Sequence, residues 1–271
     1  MAMVVQHNMR AINSNRMLSV NTSTQAKSTE KLSSGYRINR AADDAAGLAI
    51  SEKMRRQVRG LTQASRNASD GVSMVQTAEG ALNEVHEMLQ RMSELAVQAA
   101  SETLQSADRS YINAEVTQLK DEITRTANDT KFNEINLLSS TTTKKIQVGT
   151  ESGNTITISL TAMKASSIGI GSVTVSSSSN AVSALATIKN AITSVSNLRS
   201  NLGATQNRLE HTIKNLDNVV ENTTAAESQI RDTDMASEMV KLANINILAQ
   251  AGQAMLAQAN QGNQGVLALL Q

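Results

Sequence analysis

The 271-residue chain has no cysteine, no proline and no tryptophan, and its only aromatic side chains are Tyr36, Tyr111 and Phe132. Without cysteine there is no disulfide staple and no thiol chemistry, a composition compatible with life outside the cell. Without proline nothing removes a backbone donor or clashes with the preceding turn, so long uninterrupted helices are permitted. With so few aromatics, which bury the most area per residue, a thick globular core is hard to fill, and thin packing by Leu, Ile, Val, Met and Ala suits the chain better. A further absence is local: Leu242 to Gln271 carries no charged side chain. Its longest apolar run, Val266 to Leu270, falls far short of the roughly 20 residues a membrane span needs, so membrane insertion is not expected. The opening Met1–Arg10 lacks a basic head followed by an apolar core, so a cleaved signal peptide is not expected, and secretion would need another route.

What the uncharged tail does have is a pattern. Ile245, Leu248, Gly252, Met255, Ala259, Gly262, Val266 and Leu269 recur at alternating spacings of three and four, the register of a coiled-coil seam with small knobs that allow close approach. The opposite face carries Asn246, Gln250, Gln253, Gln258, Asn260 and Gln264, where a solvated helix would carry Lys and Glu. Amides suit a face that meets other protein, because ionic groups there would be costly to desolvate. The pattern predicts a helix that becomes buried when copies assemble, in preference to one packed only inside its own monomer. At the other end Val4, Val5, Met9, Ala11, Ile12 and Leu18 form a similarly thin stripe, a natural partner for the tail. The net charge of +1 hides +7 over residues 1–66 and −6 over the remainder, which favours attraction between parts of the chain or between neighbours. No aromatic platform accompanies the basic stretch, so nucleic-acid binding is not expected.

Between the ends the periodicity is helical, then β, then helical again. Ile50, Met54, Val58, Leu61, Ala68, Val72, Val75, Ala78, Leu82, Val85, Leu89, Met92 and Leu95 mark one long helix over 45–100, about 80 Å at 1.5 Å per residue. Asp43 and Asp44 are placed to cap it. Ser106 or Asp108 starts a second helix that ends near Asn128 and Asp129. Ile146 and Val148, then Thr155 to Leu160, alternate around Gly149–Asn154, which predicts a β-hairpin. Residues 161–180 are rich in Ser, Gly and Thr and read as surface loop, with a short strand at Val173–Val175. Leu185 to Ile230 resumes the helical period as a second rod antiparallel to the first, and Asp232 and Asp234 restart a helix into the tail. The predicted fold is mainly α: a long antiparallel helical rod, 44–232, with a small β-hairpin region at about 132–180. Paired N- and C-terminal helices, 1–43 and 233–271, form an inner coiled-coil domain.

Catalytic and ligand-binding motifs are missing. His86-Glu87-Met88-Leu89-Gln90 has Gln90 where a zinc-protease pattern needs its second histidine. Gly169-Ile170-Gly171 lacks the third glycine and following helix of a dinucleotide loop. No metal, cofactor or catalytic group is expected. Ser172 to Ser179 is open to O-linked sugar but reads first as solvated loop. The methionines read as adaptable filler on helical stripes.

Two stretches are far more specific. Leu32-Ser33-Ser34-Gly35-Tyr36-Arg37-Ile38-Asn39-Arg40-Ala41-Ala42-Asp43-Asp44-Ala45-Ala46-Gly47-Leu48-Ala49-Ile50 and Gln229-Ile230-Arg231-Asp232-Thr233-Asp234-Met235-Ala236 resemble the N- and C-terminal signatures of bacterial flagellin. The resemblance covers about residues 1–140 and 180–271, with a middle too short for outer variable domains. It implies a structural, non-enzymatic subunit, exported unfolded through the flagellar type III channel, that polymerises with itself into the extracellular filament for motility. It also implies a flagellar export chaperone and hook-associated or cap proteins as partners. The polymerisation seam would be Ile245, Leu248, Gly252, Met255, Ala259, Val266 and Leu269. Leu89 to Gln98 resembles the segment by which many flagellins are recognised by Toll-like receptor 5, which implies receptor contacts at Leu89, Gln90, Arg91, Glu94, Leu95 and Glu115. Positions 91 and 95 lie one turn apart, placing an Arg beside an apolar knob on one face. Ser93 stands where strongly stimulatory members often carry a basic residue, which bears on signalling strength. The alternative within the same architecture is a hook–filament junction protein, against which the first signature argues.

Overall fold

The structure, a computed structural model, describes residues 7–269, with side chains through residue 262. In chain order the elements are α1 (Met9–Ser34), α2 (Ala45–Ala100), α3 (Ser106–Asp129), β1 (Lys131–Phe132), β2 (Ile135–Asn136), β3 (Thr142–Gln147), β4 (Thr155–Leu160), α4 (Ser178–Arg231) and α5 (Met235–Leu269). Local chemistry sets the helix ends. The Asn8 side chain accepts from the Ala11 N–H at 3.0 Å and opens α1. Gly35, at φ 75°, closes it with its N–H on Lys31 O, a left-handed cap that costs glycine nothing. Asp44 caps α2 by accepting from Gly47 N–H at 2.9 Å, as expected. Asp43 does something else: its Oδ2 accepts from the Arg40 and Asn39 N–H groups and closes the preceding turn. Asp234 Oδ1 accepts from Ala236 and Ser237 N–H and starts α5.

The chain divides into two compact units, residues 57–221 and residues 1–56 with 222–271, whose boundaries fall inside α2 and α4. In the first, α2 and α4 run antiparallel: Ser65 bonds Asp217, Arg199 pairs with Glu79, and Ser178 bonds Ala100 O. Helix α3 folds back on α2, with Arg109 donating to Ala99 O and Arg91 to Glu115. Leu82, Val85, Leu89 and Met92 are fully buried in the shared core, each contributing about 1.5–3 kcal/mol by removal from water.

The β3–β4 hairpin pairs from Thr142↔Leu160 to Gln147↔Thr155. Along β4 the threonines and Ser159 face out while Ile156, Ile158 and Leu160 are buried, the two-residue alternation expected of a half-covered strand. The hairpin and α4 both reach α2 at Gly71, where a Cβ would stand 3.3 Å from Ile146 and from Leu209.

Two local expectations need correction. Residues 161–177 are not merely surface loop, because Met163, Ala165, Ile170, Val173 and Val175 are buried in the same core. Val173–Val175 is not a strand either. Lys120 donates to Val173 O and Asn113 accepts from Val175 N–H, so α3 side chains satisfy the backbone that a ladder would otherwise have to satisfy. The sequence reading did not resolve the β1–β2 pair, whose turn has Asn133 and Glu134 at φ 46° and 63°. Asparagine tolerates that conformation, but glutamate gives no such signal.

In the other unit α1 and α5 pair antiparallel, with Asn8 on Ala259 O, Leu18 against Gly252, Gln25 on Asn246 and Ser28 on Glu238. Among the described residues only two apolar side chains of this unit, Ile38 and Ile245, are buried.

Candidate functional site

The contact face of α5 consists of Glu238, Leu242, Ile245, Ala249, Gly252, Leu256 and Ala259, all partly or fully covered. Steps of four and three keep these residues on one side of the helix. Of the expected seam, Ile245, Gly252 and Ala259 lie on this face. Leu248 and Met255 do not: they are 54% and 60% exposed and point away from α1. Two overlapping heptads exist because 247, 248 and 249 are all apolar, and packing selects the one through Ala249 and Leu256. The side chains of Val266 and Leu269, like Val4 and Val5 of the N-terminal stripe, lie outside the described residues. Among the described residues of the polar face, Asn246 finds a partner on α1, at 2.7 Å from Gln25.

The outward faces of the pair carry exposed apolar side chains. On α1, Met9, Ile12 and Val20 are each more than half exposed, as are Val240, Ile247, Leu248 and Met255 on α5. Spacings of seven put Leu248 with Met255, and Val240 with Ile247, on lines along the helix.

At the joint of this unit the two signature stretches clasp each other. Tyr36 and Asp232 form an isolated antiparallel bridge. Arg37 N–H donates to Arg231 O, and Thr233 N–H to Gly35 O. The Arg231 guanidinium lies 4.8 Å over the Tyr36 ring and donates to Glu52 at 2.7 Å, a cation–π contact with a charge partner attached.

On α2 and α3 the expected recognition residues separate into two groups. Arg91 is half exposed and donates from Nε to Glu115 and from Nη1 to Glu94, at 3.0 and 3.1 Å. The Glu115 contact, then Glu94, raises the guanidinium's pKa. Gln90 is exposed and lies 2.9 Å from His86 Nε2. Leu89 and Leu95, by contrast, are 0% and 2% exposed and belong to the core row with Leu82, Val85 and Met92. Residues one turn apart differ by about 40° around a helix, so Arg91 and Leu95 straddle the edge of the buried stripe and do not share an outer face. The exposed apolar neighbour is Val97, at 59%. It lies in an open groove of about 550 Å³ with Gln90, Ser93, Glu94, Gln98 and Ile192. Sequence reasoning missed it because it lies off every apolar period. Among the described residues no group of His, Cys, Asp or Glu is arranged to hold a metal, and no helix is long and apolar enough to cross a membrane.

Comparison with known proteins gives a consistent result. Residues 5–143 match the family described as bacterial flagellin N-terminal helical region, and residues 185–270 its C-terminal helical region. The chain is 54% identical over 271 residues to a flagellin of Halalkalibacterium halodurans, covering 99% of this chain and all of that one. It is 46% identical over 303 residues to a Bacillus subtilis flagellin, with the same coverage. The crystal structure of Bacillus cereus flagellin is similar at 32% identity and a TM-score of 0.51, over 56% of this chain and 88% of that one.

Proposed function

This chain belongs to the bacterial flagellin family and is a subunit of the flagellar filament, and we propose that its polymerisation runs through the outward apolar faces of α1 and α5. The observation that carries this reading is the contrast in burial. The terminal pair satisfies one face of each helix and leaves Leu248, Met255, Ile12 and Val20 more than half in water. Neighbouring copies supply the missing cover, so that association free energy completes the ordering of the terminal helices. The inner, filament-forming part is residues 1–43 with 233–271, and 44–232 is the rod, with its β region at about 132–180. The seam between copies is carried by Leu248 and Met255, while Ile245, Gly252 and Ala259 hold the pair together within each chain. Leu248→Asp with Met255→Asp abolishes elongation of filament seeds, followed by electron microscopy, and leaves far-ultraviolet helicity of the free chain intact. Filaments of normal length from that variant would remove the seam.

The comparisons favour the filament subunit over the hook–filament junction protein. The family is structural, and the reading extends to a chain with no catalytic role of its own. It extends also to export from the cell, and to an export chaperone and cap proteins as transient partners. Recognition by Toll-like receptor 5 would use the exposed set Gln90, Arg91, Glu94 and Glu115, with Leu89 and Leu95 as the buried floor that holds α2 against α3. A fixed guanidinium between two carboxylates is the type of group that anchors an interface. Arg91→Ala lowers receptor affinity about tenfold or more, a hot-spot loss of over 1 kcal/mol, in surface plasmon resonance with immobilised receptor ectodomain. Unchanged affinity removes the receptor reading alone.

A further inference from the structure

We propose that the exposed methionines of α1 and α5 are an oxidation site that sets whether a free chain can assemble, and that assembly then shields. The proposal rests on the reading that neighbouring copies cover these helices. Met9, Met17, Met235, Met239 and Met255 are 47–68% exposed, and all lie in the unit formed by 1–56 and 222–271. In residues 57–221 Met74, Met92 and Met163 are at most 5% exposed and Met88 is half-buried. The chain has no cysteine, so its only sulfur is thioether, and among the described residues its exposed methionines all lie on α1 and α5.

The chemistry needs one co-reactant, a peroxide. The thioether sulfur attacks the terminal oxygen, an S–O bond forms as the O–O bond breaks, and the displaced hydroxide takes up the peroxide proton and leaves as water. Sulfur is oxidised by two electrons and the peroxide is reduced. The product turns a flexible apolar side chain into a polar one, and covering it without a donor carries the cost of an unpaired polar group. Thiol-dependent reduction by a sulfoxide reductase reverses the step.

The test treats free chain and finished filaments with the same dose of hydrogen peroxide. Peptide mass spectrometry counts added oxygen at each methionine, and seeded growth gives the critical concentration. Oxidised free chain is expected to show a critical concentration raised about tenfold or more, restored by a methionine sulfoxide reductase. The variant carrying Met9→Leu, Met17→Leu, Met235→Leu, Met239→Leu and Met255→Leu, a volume-conserving change, is expected to grow equally well before and after treatment. In filaments the five methionines take up oxygen more slowly than in free chain. Unimpaired growth of the oxidised chain, equal loss in the leucine variant, or equal oxidation rates in filament and free chain would each overturn the proposal. Untreated chain that fails to lengthen seeds would instead bring down the assembly reading, and this proposal with it.

Discussion

Residues 57–221 and the terminal pair are built from the same alphabet with the same helical period, yet they end in opposite states. In the first, apolar rows from α2, α3, α4 and the β3–β4 hairpin converge from several directions, and Leu82, Val85, Leu89 and Met92 are sealed off from water. In the second, each helix has one partner. One face of α1 meets one face of α5, and among the described residues their other faces keep ten large hydrophobic side chains in contact with solvent. Helical periodicity alone therefore does not make a core. A stripe needs as many covering surfaces as it has sides, and two helices offer each other only one.

The sharpest way to break this contrast is hydrogen exchange on the free chain. Amides around 82–92 open only with global unfolding, whereas those of α1 and α5 open locally at near-zero free energy, a gap of about 5 kcal/mol or more. Equal protection along the whole chain would end the distinction. Side-chain truncation gives the next largest effect. Leu82→Ala costs about 2–5 kcal/mol in denaturant unfolding. Leu248→Ala, half in water already, stays within about 0.5 kcal/mol in the monomer and shows its cost only in filament growth. Similar losses at both sites would mean that Leu248 is covered within its own chain. The smallest effect concerns the joint. Hydrogen bonds from the Arg40 and then the Asn39 backbone N–H hold the Asp43 carboxyl below its ordinary 3.8. A depressed carboxylate contributes stability that is complete above its unfolded value and lost as pH falls through the lowered one. Asp43→Asn therefore flattens slightly the acid limb of thermal stability as pH falls below the carboxyl's ordinary 3.8, as read by melts followed by circular dichroism, and an unchanged limb would remove Asp43 from the joint's acid response.

Much of the architecture was legible because its signals are local. Helix starts follow from Asp44 and Asp234, and β4 from strict alternation over Thr155–Leu160. What was not legible depends on who sits opposite. Tail residues 247, 248 and 249 are all apolar, so two seams were open and the partner helix chose. Arg91 and Leu95 look like neighbours in a spacing argument, but Leu95 is sealed in the core while Arg91 stays half in water and reaches Glu115 on α3. Val173 and Val175 look like a strand until Asn113 and Lys120 take their backbone bonds.

The amino-acid sequence by itself determined the element order, the uncharged tail, the absence of staples and breaks, and the two signature stretches that identify the family. All of these are set by short-range propensity and composition. Only the tertiary structure decided which face of each stripe is inside, that the two signatures clasp at Tyr36 and Arg231, and which hydrophobic side chains remain unclaimed. Burial belongs to pairs of surfaces, and no single segment carries the coordinates of its partner.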